Sequence, residues 1–370
     1  MRPFSLLIKP AGASCNLRCE YCFYLDHLDK NAPAPRMSEE ILEHLVKSYM
    51  NTPQPVYGFA FQGGEPTLMG HKFYQKVVEF QKKYGKPRSQ VANGFQTNAT
   101  LITDDLAKLF HDYKFLLGVS LDGPPELHNK HRKTAKGKST HQMVMKGIQT
   151  LHKHKVEFNI LTLVSKANVK RAKQVYRYLK KQGYFFHQYI PCVEWDENNQ
   201  LEHFSISGDE WGKFLIDIFD EWVKEDVHRI SIRHLDSIVE YLAFGSYNAC
   251  QMGRACNTYF VVEANGDVYP CDFFVRDDLK LGNIMENTWE ELLQSGLFKE
   301  FGSHKTKYNE ECKECEYLPY CNGDCQKFRS FSDWTKPNGL SSLCVGWKQF
   351  YDHALPILKQ IVNTRILKKG

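Results

Sequence analysis

Short apolar runs alternate with amphipathic stretches from residue 4 to residue 190. Residues 5–9, 56–62, 90–96, 115–120, 157–164 and 185–190 are rich in Val, Ile, Leu or aromatics, as strands buried on both faces are. Helical periodicity fills the gaps. Ser38 is an expected N-cap, with Glu39 and Glu40 in the first turn, and Ile41, Leu42, Leu45, Val46 and Tyr49 share one face. Segments 71–84, 103–112, 139–154 and 168–182 follow the same pattern, with Gly85 and Gly183 at their expected ends. Six strands with intervening helices predict an α/β fold with a parallel sheet and right-handed crossovers. Two further units would be needed for a closed eight-unit barrel, so an open, partial (β/α)6 barrel is expected. Its ligand site belongs at the C-terminal ends of the strands.

The alternation stops near residue 200. Helices are expected at 208–225 and 233–244, then strands at 259–263 and 267–269 around Asn265-Gly266, a strong hairpin-turn signal. A short helix over 288–294 and a final one over 346–361 complete the pattern. The expected domains are a barrel over 1–228, a cysteine-rich region over 229–345 and a C-terminal helical segment over 346–370. No internal repeat or low-complexity tract interrupts them.

Composition narrows the classes. The 370 residues are 42% hydrophobic and 25% charged, so a globular fold is expected rather than disorder. The net charge of +5 is too mild to argue for nucleic-acid binding. No apolar run approaches the ~20 residues of a membrane helix. The short apolar stretch at the N-terminus is cut off by Lys9, unlike a secretion signal. These points imply a cytoplasmic protein with no nucleic-acid or membrane partner. The twelve cysteines are the anomaly. Clustered in a cytosolic chain of this size, they read as metal ligands before disulfides.

Cys15-x3-Cys19-x2-Cys22 follows directly on the first strand. Three thiolates are one short of the four that usually close an iron–sulfur cluster, which would leave one iron open. A zinc site with a distant fourth ligand, or three unrelated thiols, is the other reading of the spacing. With Tyr21 before the third cysteine, and Gly63-Gly64-Glu65-Pro66 ending the second strand, the first 200 or so residues resemble the radical S-adenosylmethionine superfamily. The resemblance implies reductive cleavage of the cofactor to a 5′-deoxyadenosyl radical, which abstracts hydrogen from an unactivated carbon.

Cys256-x9-Gly266-x4-Cys271, Cys312-x2-Cys315-x5-Cys321-x3-Cys325 and Cys344 resemble the SPASM extension of radical enzymes that act on peptides and proteins. With Cys250 they make eight thiolates. The resemblance assigns Cys250, Cys256, Cys271 and Cys325 to one auxiliary cluster, and Cys312, Cys315, Cys321 and Cys344 to another. It therefore implies three [4Fe-4S] clusters in all. The spacing over 312–325 also allows a structural zinc knuckle. Cys192 is left over and is expected to be a buried free thiol.

Within that group the chain resembles the anaerobic sulfatase-maturating enzymes nearly end to end. SLLIKP at the N-terminus, Phe61-Gln62-Gly63-Gly64-Glu65-Pro66-Thr67, Gln96-Thr97-Asn98, Ser120-Leu121-Asp122-Gly123 and Tyr269-Pro270-Cys271-Asp272-Phe273 carry the likeness. That family oxidises a cysteine or serine of a sulfatase to Cα-formylglycine. Asp272 is then the expected base; read alone, it is an ordinary loop aspartate. Tyr21 and Gly64 are expected near the cofactor's methionine part, Ser120 at the ribose, Arg132 at the carboxylate and Val193 near adenine. Arg132 could equally belong to a solvated basic loop. Gln96, Thr97 and Asn98 are expected to bind the substrate backbone, or simply to shape a turn. The implied partners are an unfolded sulfatase polypeptide with a Cys/Ser-x-Pro-x-Arg motif and an electron donor such as flavodoxin or ferredoxin. The alternative is a radical enzyme that crosslinks ribosomal peptides. Many of those carry an extra N-terminal recognition domain, whereas here the first strand is expected by residue 5.

Overall fold

The computed structural model describes residues 1–27, 35–198, 200–330 and 333–366. Ten strands are present among them: β1 (Ser5–Lys9), β2 (Tyr57–Phe61), β3 (Val91–Thr97), β4 (Leu116–Ser120), β5 (Phe158–Val164), β6 (Phe186–Pro191), β7 (Ser231–Ile232), β8 (Tyr259–Glu263), β9 (Asp267–Tyr269) and β10 (Gly282–Asn283). The chain forms two compact units, neither continuous in sequence. One holds Met1–Ser120, His131–Phe158 and Cys256–Gly302; the other holds Leu121–Lys130, Asn159–Ala255 and Ser303–Gly370.

In the first unit β1, β2, β3 and β4 pair in parallel and in chain order. The apolar runs of the sequence become strand cores: Leu6, Ile8, Phe59, Phe61, Phe95, Leu117 and Val119 are all buried. The connecting helices start where the caps lie. The Ser38 hydroxyl accepts from the Ile41 N–H at 3.2 Å at the head of helix Glu39–Met50. Thr103 does the same for Leu106 at 3.3 Å, heading Asp104–Asp112. On the free side of β1, β8 adds in parallel, with Lys9 opposite Glu263. Then β9 turns back antiparallel through the Asn265-Gly266 hairpin, with Gly266 at φ +87, and β10 pairs with β9. The hairpin expected from sequence thus extends the first unit's sheet.

In the second unit β5, β6 and β7 pair in parallel. Gly183 takes φ +80 just past helix Ala172–Lys181, as expected of a helix end. Its largest packing is between Gly208–Glu225, which opens on a Ser207–Glu210 capping box, and Cys344–Ile361. Glycine allows the two helices to cross closely: a Cβ on Gly346 would lie 2.0 Å from the Gly208 carbonyl oxygen. Trp211, Phe214, Phe219, Trp347, Phe350 and Tyr351 fill the core around this crossing. The helix predicted over 346–361 begins two residues earlier, at Cys344, a predicted cluster ligand. The expected C-terminal segment is described as far as Ile366. Helices Pro125–His131 and Gly296–Ser303 had no distinct signal in the sequence. Among the described residues from 310 to 330 the helices are the four-residue Glu310–Lys313, Leu318–Cys321 and Lys327–Ser330.

Candidate active site and cluster ligands

The C-terminal ends of β1, β2 and β3 meet at the first cysteine loop. As β2 ends, the Gly64 N–H donates to the Gly12 carbonyl and the Glu65 N–H to the Ser14 carbonyl, each at 2.8 Å. A Cβ on Gly64 would sit 2.0 Å from Ser14 O, so only glycine lets the two segments lie together. Glu65 turns inward. Its carboxylate accepts from the Thr67 N–H and hydroxyl, the Thr97 hydroxyl at 2.8 Å and the Asn98 N–H at 2.8 Å. Burial raises the Glu65 pKa, against the pull of these bonds. Asn98 in turn donates to Asn16 Oδ1 at 3.0 Å and to Cys15 Sγ at 3.7 Å. The second signature therefore braces the first through the end of β3.

Cys15, Cys19 and Cys22 lie on this braced loop. Burial, with Glu65 next, pushes the Cys15 thiol up to about 12, while the Leu17 N–H at 3.3 Å opposes the shift. Metal binding there must displace the proton. The basic segment after helix Pro125–His131 lies against the same loop. Arg18 N–H donates to the Lys133 carbonyl, and the Arg132 guanidinium sits 5.4 Å over the Tyr21 ring. Two expected cofactor residues are thus brought together. Ser120 ends β4 and is buried. Val193 belongs to the second unit, its side chain wholly within that core. Among the expected substrate residues, Gln96 is exposed, whereas Thr97 and Asn98 are buried in the Glu65 network.

On the other side of β1 stands Asp272, the expected base. Lys9, the last residue of β1, is 1% exposed, and its Nζ lies 2.6 Å from Asp272 Oδ1 and 3.8 Å from Glu263 Oε1. The same ammonium sits 3.5 Å over the Tyr24 ring, whose hydroxyl donates to Glu263. Burial lifts the Glu263 pKa, opposed first by the Lys9 charge. The Asp272 N–H donates to the Tyr259 hydroxyl at 3.4 Å, which donates to Cys271 Sγ at 3.3 Å. Phe23 and Phe273, with ring centroids 4.9 Å apart, join the cysteine loop to this segment. In the sequence Lys9 marks only the end of an apolar stretch, and Tyr24, Glu263 and Asn16 carry no distinct signal. A lysine closing an otherwise apolar central strand, at the end where ligands bind, was the available signal.

The remaining cysteines divide. Cys256 and Cys271 lie in the first unit, Cys250 and Cys325 in the second. Cys312, Cys315, Cys321 and Cys344 line one cavity of the second unit. Four thiols around one cavity are a donor set that either a structural zinc or a four-iron cluster can use. Cys192 is buried, as expected.

Parallel strands whose three-cysteine loop is clamped by a GGEP turn, together with a cysteine-rich extension, define a radical S-adenosylmethionine enzyme with a SPASM domain. The Radical SAM superfamily matches residues 10–179, and the iron–sulfur cluster-binding SPASM domain matches residues 250–316. The chain belongs to the anaerobic sulfatase-maturating enzymes, radical oxidoreductases that act on a protein side chain. It is 38% identical to the cysteine-type anaerobic sulfatase-maturating enzyme of Clostridium perfringens (strain ATCC 13124), over 98% of this chain and 99% of that one. It is also 38% identical to the serine-type enzyme of Bacteroides thetaiotaomicron, over 98% and 93% respectively. The solved structure of native anSMEcpe with bound AdoMet and Cp18Cys peptide superimposes with a TM-score of 0.91 at 38% identity, covering 98% of this chain and 99% of that one. The cofactors are accordingly S-adenosylmethionine and [4Fe-4S] clusters, and the substrate is a protein or peptide. Among the described residues no helix is long and apolar enough to cross a membrane.

Proposed function

We propose that this chain oxidises a cysteine or serine in a Cys/Ser-x-Pro-x-Arg motif of an unfolded sulfatase polypeptide to Cα-formylglycine. S-adenosylmethionine, cleaved with an electron delivered at the first cluster, supplies the radical that takes hydrogen from the substrate Cβ. Cys15, Cys19 and Cys22 hold that cluster and leave its open iron to the cofactor. Tyr21, Gly64, Ser120, Arg132 and Val193 bind the cofactor, with Arg132 positioned through its stacking on Tyr21. Gln96 offers its exposed side chain to the substrate backbone, while Thr97 and Asn98 shape the strand end. Asp272 takes the proton from the substrate thiol or hydroxyl. Lys9 holds the Asp272 carboxylate at a fixed place beside the cysteine loop.

Cys250, Cys256, Cys271 and Cys325, and Cys312, Cys315, Cys321 and Cys344, would hold two auxiliary clusters, three clusters in all, which when bound would supply acceptors for the electron left on the substrate. Flavodoxin or ferredoxin supplies the reducing electron, and the reaction belongs in the cytoplasm. The observation that carries this reading is the contact of the cysteine loop with the Asp272 segment, Phe23 on Phe273, inside one compact unit. Anaerobic incubation with S-adenosylmethionine, a reductant and a motif peptide tests it. A Cys peptide should lose ~18 Da, because water replaces the thioaldehyde sulfur and hydrogen sulfide leaves, or a Ser peptide ~2 Da. Cofactor cleavage with no mass change in either peptide would overturn it.

A further inference from the structure

The cavity lined by Cys312, Cys315, Cys321 and Cys344 carries an uncommon electrostatic shell. Arg329 is 9% exposed. Its Nη2 donates to the Lys305 and Asp324 carbonyls at 2.9 and 3.2 Å. Its Nε and Nη1 are buried with no hydrogen-bond partner, and among the described residues no carboxylate pairs with it. A buried guanidinium with unpaired donors is costly unless some negative group answers it. The group lies against the cavity wall: a Cβ on Gly323, which lines the cavity and has φ +71, would meet Arg329 Nη1 at 3.2 Å.

Two more cations flank the site. Lys305 is fully buried, with its Nζ donating to the Gln251 carbonyl at 2.8 Å and to the Asp324 carbonyl. Lys348 lines the cavity. Against these stand two acids at the cavity. Glu311 is exposed at its edge. The Asp324 carboxylate is taken up by the Cys325 N–H, the Ser341 hydroxyl and the Trp347 indole, at 2.7, 2.7 and 2.9 Å.

We propose that Arg329, flanked by Lys305 and Lys348, sets the redox balance of the four-cysteine site, its buried unpaired guanidinium favouring the reduced form of the iron–sulfur cluster held there. This rests on the reading of Cys312, Cys315, Cys321 and Cys344 as cluster ligands. Four thiolates already bring negative charge, and one-electron reduction adds another unit without making or breaking a bond. A cation fixed in a poorly screened interior stabilises that added negative charge far more strongly than one in water does. Through this charge Arg329 and its neighbours make the second auxiliary site the better electron acceptor, which an oxidative reaction on a side chain needs. Arg329 acts through the cluster and touches no substrate, so it is a positioning and tuning residue.

EPR-monitored potentiometric titration of the reconstituted full chain, with iron counted per protein, tests the proposal. Arg329→Gln should keep the wild-type iron content and lower one cluster couple, making its reduction about tenfold less favourable, ~59 mV for one electron. Arg329→Lys should recover most of that shift. No shift in Arg329→Gln at full iron content, or equal shifts for Gln and Lys, would overturn it. If Arg329→Gln loses iron, Lys348→Gln, at the partly exposed wall, carries the test: a smaller shift in the same direction supports the proposal and none overturns it. A wild-type protein lacking iron at this site would instead sink the cluster reading itself, which separates the two failures.

Discussion

Lys9 Nζ lies 2.6 Å from Asp272 Oδ1, an ion pair formed by the last residue of β1 and the residue after Cys271. Lys9 is 1% exposed and also faces Glu263 and the Tyr24 ring. Removing the cation leaves two carboxylates together in a poorly solvated place. Lys9→Met should therefore destabilise the protein by about 3–5 kcal/mol, the usual cost of breaking a buried pair. It should also free the Asp272 carboxylate from its fixed place, so formylglycine per 5′-deoxyadenosine should fall while iron content holds. Lys9→Arg keeps the charge and should restore part of the coupling. The ratio of the two products measures this; an unchanged ratio in Lys9→Met would clear Lys9 of any role in orienting the base.

Gly64→Ala should act at the first cluster. The added Cβ would lie 2.0 Å from the Ser14 carbonyl oxygen and 2.7 Å from the Ala13 carbonyl carbon. Both are backbone, which has no rotamer to yield. The cysteine loop must move away from β2, breaking the 2.8 Å bonds from Gly64 and Glu65. Iron bound by Cys15, Cys19 and Cys22 should be reduced and cofactor cleavage nearly lost, with the auxiliary iron retained. Iron analysis with a 5′-deoxyadenosine assay reads both. Wild-type cleavage by Gly64→Ala would show that the loop tolerates the shift.

Much of this site was legible in the sequence, because its parts are local. The three-cysteine loop and the GGEP turn follow apolar runs that became β1 and β2 almost residue for residue. The Asn265-Gly266 turn placed the hairpin before Cys271. What was not legible is non-local. Tyr24 and Glu263, hydrogen-bonded in the structure, are 239 residues apart in sequence. Lys9 looked like the end of an apolar stretch, because periodicity cannot show that β8 adds beside β1 and brings Glu263 opposite it. Arg329 was hidden for the same reason. Nothing in a segment with little regular structure marks a charge as buried.

Away from the site, Glu221 gives a pH-dependent contribution with a defined sign. Its carboxylate accepts from Arg177 Nε at 2.6 Å and from Lys224 Nζ at 2.8 Å. Arg177, then Lys224, holds its pKa down to about 2, below the ~4.3 of a free glutamate. A depressed folded pKa means stability that is complete above about pH 4.3 and lost as pH falls to about 2. Both cations are mostly exposed, so the contribution should shrink with added salt. Urea midpoints of wild type and Glu221→Gln should differ at pH 6 and converge near pH 2. A constant difference across that range would show that Glu221 is not coupled to its cations.

Asp272→Asn separates the halves of the reaction at one residue. The amide keeps the size of the carboxylate and can still meet Lys9 and Tyr259, but it cannot take a proton near neutral pH. Loss of a general base typically costs about 10²–10⁴-fold in rate. Cys271, with its bond from the Tyr259 hydroxyl, is untouched, so iron content should match wild type. On the proposed reading, cofactor cleavage would belong to the cysteine loop of Cys15, Cys19 and Cys22, where no proton from substrate is needed. The variant should therefore still form 5′-deoxyadenosine, uncoupled from product, and yield little formylglycine. Mass spectrometry of the peptide alongside a 5′-deoxyadenosine assay tells the cases apart. A normal formylglycine yield would remove Asp272 from the reaction. Loss of iron and of both products together would assign the residue to holding the loop beside Lys9, and the proton acceptor would then have to be sought elsewhere.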